Sequence, residues 1–320
     1  MFNGETNLKL VKRRMKYNIN KELLKIAKQK APSNIKLYPL INCAMKYMFK
    51  CKSDDAVNVI QYEIAGYMDA KLKTYVIEPR GCKKELPCIV YFHGGGFLLK
   101  ASGAHYQIAK WYAERTKCKV VYVDYRLAPK YSFPIPVEDC YCTYQWTIKN
   151  ASELGIDKNR IVIGGDSAGG NLAASVTLML NERKEQLPSG VMLIYPVTDR
   201  RMETESMKRY TDTPMWNAKL SKMMWNAYLN NASVVDVKYA SPMEAESLSF
   251  FPRTYMEVAE FDCLHDEGID FSDRLQQEGV AVELYEEKGT CHGFETALKS
   301  TILKNAMERR INWLKEILCK

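Results

Sequence analysis

The 320-residue chain is 47% hydrophobic and 26% charged, near the averages of soluble globular proteins, so a sizeable core needs neither metals nor disulfides. No apolar run approaches the roughly 18 residues of a membrane span, which excludes a membrane-spanning class, and Met1–Lys30 holds no apolar stretch of signal length. The net charge of +8 is uneven: residues 1–52 carry thirteen Lys/Arg against two Asp/Glu, a balance of +11, which leaves the remainder at −3.

In the first segment Leu8, Val11, Met15, Ile19, Leu23 and Ile26 are spaced by three and four, which predicts one packed face of a helix. Its Lys and Arg read as a solvated face. Contact of such a basic helix with anionic lipid stays open, whereas neither a nucleic-acid partner nor a membrane span is expected. Val57–Glu63 and Lys71–Ile77 read as two strands joined by a turn around Gly66. From Cys88 onward, short apolar runs (Cys88–Phe92, Lys119–Tyr125, Arg160–Ile163, Val191–Tyr195, Arg253–Val258, Val280–Tyr285) alternate with helix-length segments (Ala104–Arg115, Pro136–Leu154, Ala168–Asn181, Asp266–Glu278), and Leu298–Leu318 closes the chain as a helix. Continuous apolar strands separated by helices predict an α/β fold with a mostly parallel sheet covered on both faces. Residues 200–235 break the alternation with Met202, Met207, Met215, Trp216, Met223, Met224 and Trp225, either as a further core helix pair or as an insertion that covers a site. The ten cysteines include no CxxC spacing, and several sit in apolar runs, so they read as thiols of a reducing, cytoplasmic protein.

The most informative segment is Arg160-Ile-Val-Ile-Gly-Gly-Asp-Ser-Ala-Gly-Gly-Asn-Leu-Ala-Ala. A β-branched strand runs into Gly165-Asp166-Ser167-Ala168-Gly169 and then into a helix, which is the setting a nucleophile elbow requires. Glycines at 165 and 169 clear a turn so tight that Ser167 is strained, and the helix N-terminus beneath it favours developing negative charge. A phosphate loop would need a Lys-Ser or Lys-Thr pair here, and there is none. His93-Gly94-Gly95-Gly96-Phe97 follows another buried strand. Glycines let backbone amides approach one point, so Gly94, Gly95 and Gly96, with the amide of Ala168, are the candidate donors of an oxyanion hole. His93 reads as a support for that loop.

A serine nucleophile needs a base, and the chain holds four histidines: His93, His105, His265 and His292. His292 follows the last strand, in a loop at the carboxyl end of the sheet where open α/β folds build their sites. The acid lies between Ser167 and His292 at a strand end. Asp262 fits that place; Asp266 suits the first turn of the next helix, and Glu260 ranks behind both.

HGGGF (93–97), YRLAP (125–129), FPIPVED (133–139), GDSAGGNLA (165–173), the DxLxDEG segment (262–268) and HGF (292–294) occur in order, across about residues 88–294. Together they resemble the hormone-sensitive lipase-like branch of bacterial α/β-hydrolase esterases. The resemblance implies an eight-stranded sheet with a helical cap: residues 1–52 and 200–235 as the cap, 53–199 and 236–320 as the catalytic unit. It further implies that Phe97, Met215 and Trp216 contact substrate, with Met223 and Trp225 as further lining, although ordinary helix packing is the alternative for each. The chain departs from the family at 262–266, where Asp-Cys-Leu-His-Asp replaces the usual Asp-Pro-Leu-Arg-Asp, and at 133–138, which read Phe-Pro-Ile-Pro-Val-Glu.

The expected activity is therefore hydrolysis of short-chain, including acetyl, carboxylesters by Ser167, His292 and Asp262, with a small-molecule ester as partner and no metal or organic cofactor. A peptidase or amidase on the same triad, a non-catalytic small-molecule receptor and a lipase acting at a lipid surface are the rivals. A homodimer is compatible with the sequence, which does not fix the oligomeric state.

Overall fold

All eight strand segments expected from the apolar pattern form one sheet in the computed structural model, which describes residues 16–82, 85–230 and 236–318. In chain order the elements are α1 (Tyr38–Met48), β1 (Val57–Ala65), β2 (Lys71–Pro79), β3 (Leu86–Phe92), α2 (Gly103–Thr116), β4 (Lys119–Asp124), α3 (Ile135–Lys149), α4 (Ala151–Leu154), β5 (Ile156–Asp166), α5 (Ala168–Glu182), β6 (Gly190–Ile194), α6 (Glu205–Arg209), α7 (Ala218–Leu229), β7 (Thr254–Phe261), α8 (His265–Gln277), β8 (Val282–Cys291) and α9 (Thr301–Leu318). The strand order is β1-β2-β4-β3-β5-β6-β7-β8. β2 pairs antiparallel with both β1 and β4, and every pair from β4 to β8 is parallel.

Successive strand side chains point to opposite faces, and the sheet accordingly separates two cores. Val90, Val121, Ile163 and Leu193 face α3, α5 and α8 with Val137, Leu172 and Phe271. Tyr91, Tyr122, Val162 and Met192 face α2 and α9 with Ile108, Tyr112, Met307 and Leu314. This two-sided burial explains why the central strands read as unbroken apolar runs rather than alternating ones.

The continuous N-terminal helix is a correction. Leu8, Val11 and Met15 lie outside the described residues. Ile19, Leu23 and Ile26 are buried as expected, but the chain there makes short 3-10 turns, Lys21–Leu23 and Ile26–Lys28, laid against the α2/α9 side. Asn20 caps the first by accepting from the amide of Glu22 at 3.0 Å. The first turn of α2 carries a capping box in which His105 takes the place of the usual acid: Ser102 Oγ accepts from the His105 amide (3.5 Å) and His105 Nδ1 accepts from the Ser102 amide (2.9 Å).

Two of the sequence motifs outside the catalytic loops hold each other. Arg126 donates to the fully buried Asp139 from Nε (2.8 Å) and Nη2 (2.7 Å), and Asp139 also accepts the amides of Arg126 (3.1 Å) and Tyr67 (3.2 Å). The largest fully buried side chain, Arg310 of α9, sits in the opposite core. It donates to Glu257 of β7 at 2.7 and 2.9 Å and to Glu295 at 2.8 Å, and Tyr255 adds a hydrogen bond to Glu257 at 2.8 Å. Glu295 follows β8 by a few residues, so this ionic group fastens the loop that carries His292 to the sheet.

Removing one member of a buried ionic group strands its partners' charges, at a cost of about 3–5 kcal/mol. Arg310→Met is expected to lower the unfolding free energy by about that amount, measured by urea denaturation, with part of it recovered when Glu257→Gln is added. An unshifted unfolding curve for the single variant would overturn this account of the core.

Candidate active site

The turn between β5 and α5 is set by contacts that exclude side chains. A Cβ on Gly165 would lie 2.3 Å from the carbonyl carbon and oxygen of Gly169, and one on Gly169 would lie 2.0 Å from the Phe92 carbonyl oxygen of β3. With both positions held to glycine, Ser167 takes φ 54° and ψ −119°, a region costly for a residue with a side chain. Its amide donates to the Ile194 carbonyl at 2.8 Å, and its hydroxyl is left to project above the carboxyl ends of the strands.

There Ser167 Oγ meets His292 Nε2 at 2.9 Å, and His292 Nδ1 meets Asp262 Oδ2 at 2.6 Å. A carboxylate only accepts, so the hydrogen on Nδ1 is donated to Asp262, and Nε2 accepts from the serine hydroxyl. Asp262 is fully buried where β7 ends, and its other oxygen accepts the amide of Leu264 at 3.1 Å. Asp266 instead sits in the first turn of α8, where Oδ2 accepts the Ser206 amide at 2.7 Å. Glu260 accepts the Gly289 amide at 2.6 Å and takes no part in the array. Such a chain can pass the serine proton to imidazole while the carboxylate fixes its tautomer.

The glycine loop after β3 lies beside this array. Gly95 (φ 113°) and Gly96 (φ 61°) are both in the left-handed half of backbone space and both line the cavity over Ser167. The amides of Gly95, Gly96 and Ala168, the first residue of α5, have no acceptor among the described residues. Gly94 is a correction. Its amide donates to Asp166 Oδ2 at 3.0 Å, so it is already spent on the carboxylate before the nucleophile and is not a free donor. His93 is fully buried, stacked on Tyr125 at 4.5 Å, and holds the Gly94 carbonyl through Nδ1 at 2.7 Å. Burial, and then the neighbouring His105, bring its pKa down to about 4, so it stays neutral.

Asp166 and His105 are the pair the motif reading left out. Asp166 Oδ2 accepts from His105 Nε2 at 3.1 Å as well as from Gly94, and Oδ1 accepts from Tyr91 at 3.2 Å. Burial pushes the Asp166 carboxyl up, but the charge and hydrogen bond of His105 outweigh it and hold it below the usual carboxylate range. His105 moves the other way: burial lowers it, and Asp166 overrides burial and raises it. Both residues line the cavity. The signal in the sequence was the acidic residue inside the elbow motif itself, Asp166 directly before Ser167.

The cavity has a volume of about 310 Å³. Met215 and Trp216, from the segment between α6 and α7, form part of its wall, with Ile41 and Met45 of α1, Leu99 and Ala104. Trp216 is fixed by a hydrogen bond from Nε1 to Ser221 (2.9 Å), and it leans on the glycine loop so closely that a Cβ on Gly96 would meet its ring at 2.4 Å. The N-terminal segment reaches the same wall through a bridge between Lys30 and Met215. Phe97 is a second correction: it is fully buried and stacks on Tyr228 of α7 at 3.8 Å, 6° from parallel, away from the cavity wall. Trp225 joins that aromatic group, and Met223 packs against the same core, so neither lines the cavity.

A family model described as the α/β hydrolase fold matches residues 89–296. An arylesterase of Saccharolobus solfataricus is 33% identical over 232 residues, covering 70% of this chain and 74% of that protein. The carboxylesterase NlhH of Mycobacterium tuberculosis is 31% identical over 233 residues, 72% of each. Among solved structures, a bacterial heroin esterase superposes with a TM-score of 0.86 at 30% identity, covering 94% of this chain and 98% of its own. With the strand–serine–helix turn, the glycine loop and the HGF segment all on one sheet of the expected topology, the chain belongs to the hormone-sensitive lipase-like carboxylesterases of the α/β-hydrolase fold.

Proposed function

We propose that carboxylester hydrolysis in this protein runs through Ser167 as nucleophile, His292 as general base and acid, and Asp262 as the group that orients and charges-balances the imidazole. The observation that carries the reading is the unbroken hydrogen-bonded run Ser167–His292–Asp262, at 2.9 and 2.6 Å, starting from a strained serine. As the Ser167 Oγ–acyl carbon bond forms, its proton passes to His292 Nε2, and the carbonyl oxygen takes up the negative charge. The amides of Gly95, Gly96 and Ala168 receive that oxygen, helped by the N-terminus of α5. Collapse breaks the bond to the alcohol, which leaves with the proton from His292. Water, deprotonated by the same imidazole, then attacks the acyl-enzyme, and the acid departs as Ser167 regains its proton.

The small cavity walled by Trp216, Met215, Ile41 and Leu99 supports short acyl groups. The cap composed of the N-terminal segment and residues 200–235 is proposed as the element that sets this limit. The receptor alternative needs a missing nucleophile, base or acid, and here both Ser167 and Asp262 stand within hydrogen-bonding distance of His292.

The test is hydrolysis of p-nitrophenyl esters of increasing acyl length. The rate is expected to peak at acyl chains of about two to six carbons. Ser167→Ala is expected to retain the fold and lose kcat by roughly 10⁴-fold or more, and Asp262→Asn to lose about 10³–10⁴-fold. Full turnover by Ser167→Ala would sink the assignment, and a rate that climbs steadily beyond ten carbons or so would sink the small acyl pocket.

Asp166→Asn tests the support of the glycine loop. The neutral amide weakens the hold on the Gly94 amide and on His105, so kcat is expected to fall by roughly 10–100-fold, below the loss from deleting a whole oxyanion donor. KM for p-nitrophenyl acetate should change little, because the ground-state ester does not use the held geometry. A rise in KM at unchanged kcat would show instead that Asp166 acts on binding.

A further inference from the structure

α1 wraps the cavity with one face and turns an apolar face outward. Tyr38, Ile41, Asn42 and Met45 point inward: Tyr38 is buried, Asn42 holds the Leu98 carbonyl at 2.7 Å, and Ile41 and Met45 line the cavity. On the outer side Leu37 is 45% exposed, Leu40 71%, Tyr47 72% and Met48 71%. Their spacings of three, seven and eight residues, with the exposed Ala44 between, place them on one stripe of the helix. Large apolar side chains grouped in this way on a surface mark a contact site rather than chance exposure.

The charge around the stripe points to its partner. Residues 36–52 contain Lys36, Lys46, Lys50 and Lys52 and no Asp or Glu. Lys46, Lys50 and Lys52 continue into a surface depression that Lys71, Lys73 and Lys100 also line. There Lys71 is paired with Glu63 and Lys100 with Asp124, while Lys46, Lys50, Lys52 and Lys73 have no carboxylate partner among the described residues. A second copy of this chain laid on the stripe would bring lysines against lysines. Residues 1–15, with four Lys/Arg and one Glu, carry the same sign. An apolar stripe rimmed by unpaired cations complements a surface that is apolar within and anionic at its rim.

We propose that α1 docks the protein on an anionic lipid surface, with Leu37, Leu40, Tyr47 and Met48 in the headgroup–acyl boundary and Lys36, Lys46, Lys50 and Lys52 against the phosphates. Ile41 and Met45, on the opposite face, line the cavity, so docking sets α1 between the lipid and the cavity. The inference concerns a surface and stands apart from the roles assigned to Ser167, His292 and Asp262.

The test is co-sedimentation of the full chain with vesicles of phosphatidylcholine alone or with roughly a third phosphatidylserine. Binding is expected to the phosphatidylserine vesicles, weakening as salt is raised to about 0.5 M, and to be much poorer on phosphatidylcholine. Leu40→Glu/Met48→Glu is expected to cut binding by roughly tenfold or more while hydrolysis of soluble p-nitrophenyl acetate is unchanged. Lys46→Glu/Lys50→Glu, which leaves the stripe intact, should do the same and flatten the salt dependence. Three results would overturn the proposal: no binding to phosphatidylserine vesicles, equal binding by wild type and both variants, or a wild-type dimer that Leu40→Glu/Met48→Glu splits in analytical ultracentrifugation, which would make the stripe a contact between copies.

Discussion

A methyl group on Gly169 would stand 2.0 Å from the Phe92 carbonyl oxygen, and that steric limit governs the rest of the site. It lets α5 start directly beneath the end of β3, so the elbow after β5 and the glycine loop after β3 become neighbours across one strand pair. The backbone is then forced through φ 54° at Ser167. Strain of this kind costs about 1–3 kcal/mol and persists only where the surroundings over-determine it. Here the surroundings are both cores: α5 is buried along nearly its whole length, and β5 is central in the sheet. The stability of the whole fold is thus what holds one hydroxyl away from its preferred conformation.

Asp166 extends that constraint from one residue to three elements. It is the last residue of β5, yet its carboxylate binds the amide of the glycine loop, the hydroxyl of Tyr91 in β3 and the imidazole of His105 in α2. A buried carboxylate would ordinarily be driven towards its neutral form; the interaction with His105 and the hydrogen bond from the Gly94 amide outweigh burial and hold Asp166 below its usual range. The pair is fixed within hydrogen-bonding reach of the glycine loop that lines the cavity. On the far side, Glu295 is joined to Arg310 and Glu257, so the loop bearing His292 is tied down from α9. The glycine loop and the loop of the proposed base thus rest on two separate buried polar anchors.

The sheet, its flanking helices and the residues now found in hydrogen-bonded contact were legible because each depends on a local signal. Buried parallel strands give unbroken apolar runs, and a turn that admits no Cβ gives glycines at fixed offsets. The chain order of serine, acid and histidine did the rest. Where the reading went wrong, the missing information was non-local. Gly94 looks equivalent to Gly95 and Gly96 until the Asp166 carboxylate, 72 positions on, is seen to take its amide. Phe97 follows the loop in sequence, but Tyr228 offers its ring a stacking surface 131 residues later and draws it out of the cavity. The spacing of Ile19, Leu23 and Ile26 is equally satisfied by a helix and by two short turns pressed on α2 and α9; only the contact with those helices chooses between them.

The N-terminal segment shows how one stretch of chain can serve two solvents. Periodicity marks only which residues are apolar, and in α1 apolar residues lie on both sides. Ile41 and Met45 meet the cavity, and Leu40, Tyr47 and Met48 meet the exterior. A helix apolar all round is ordinarily a buried one, and nothing among the described residues buries the outer half of this one. Lys46, Lys50 and Lys52, with Lys73, line a depression beside that uncovered half. Apolar exposure would be a liability in water, yet adjoining charge of one sign discourages self-association and rewards an oppositely charged surface. The same helix thus walls the cavity with one face and, under the proposed docking, offers the other to an anionic surface.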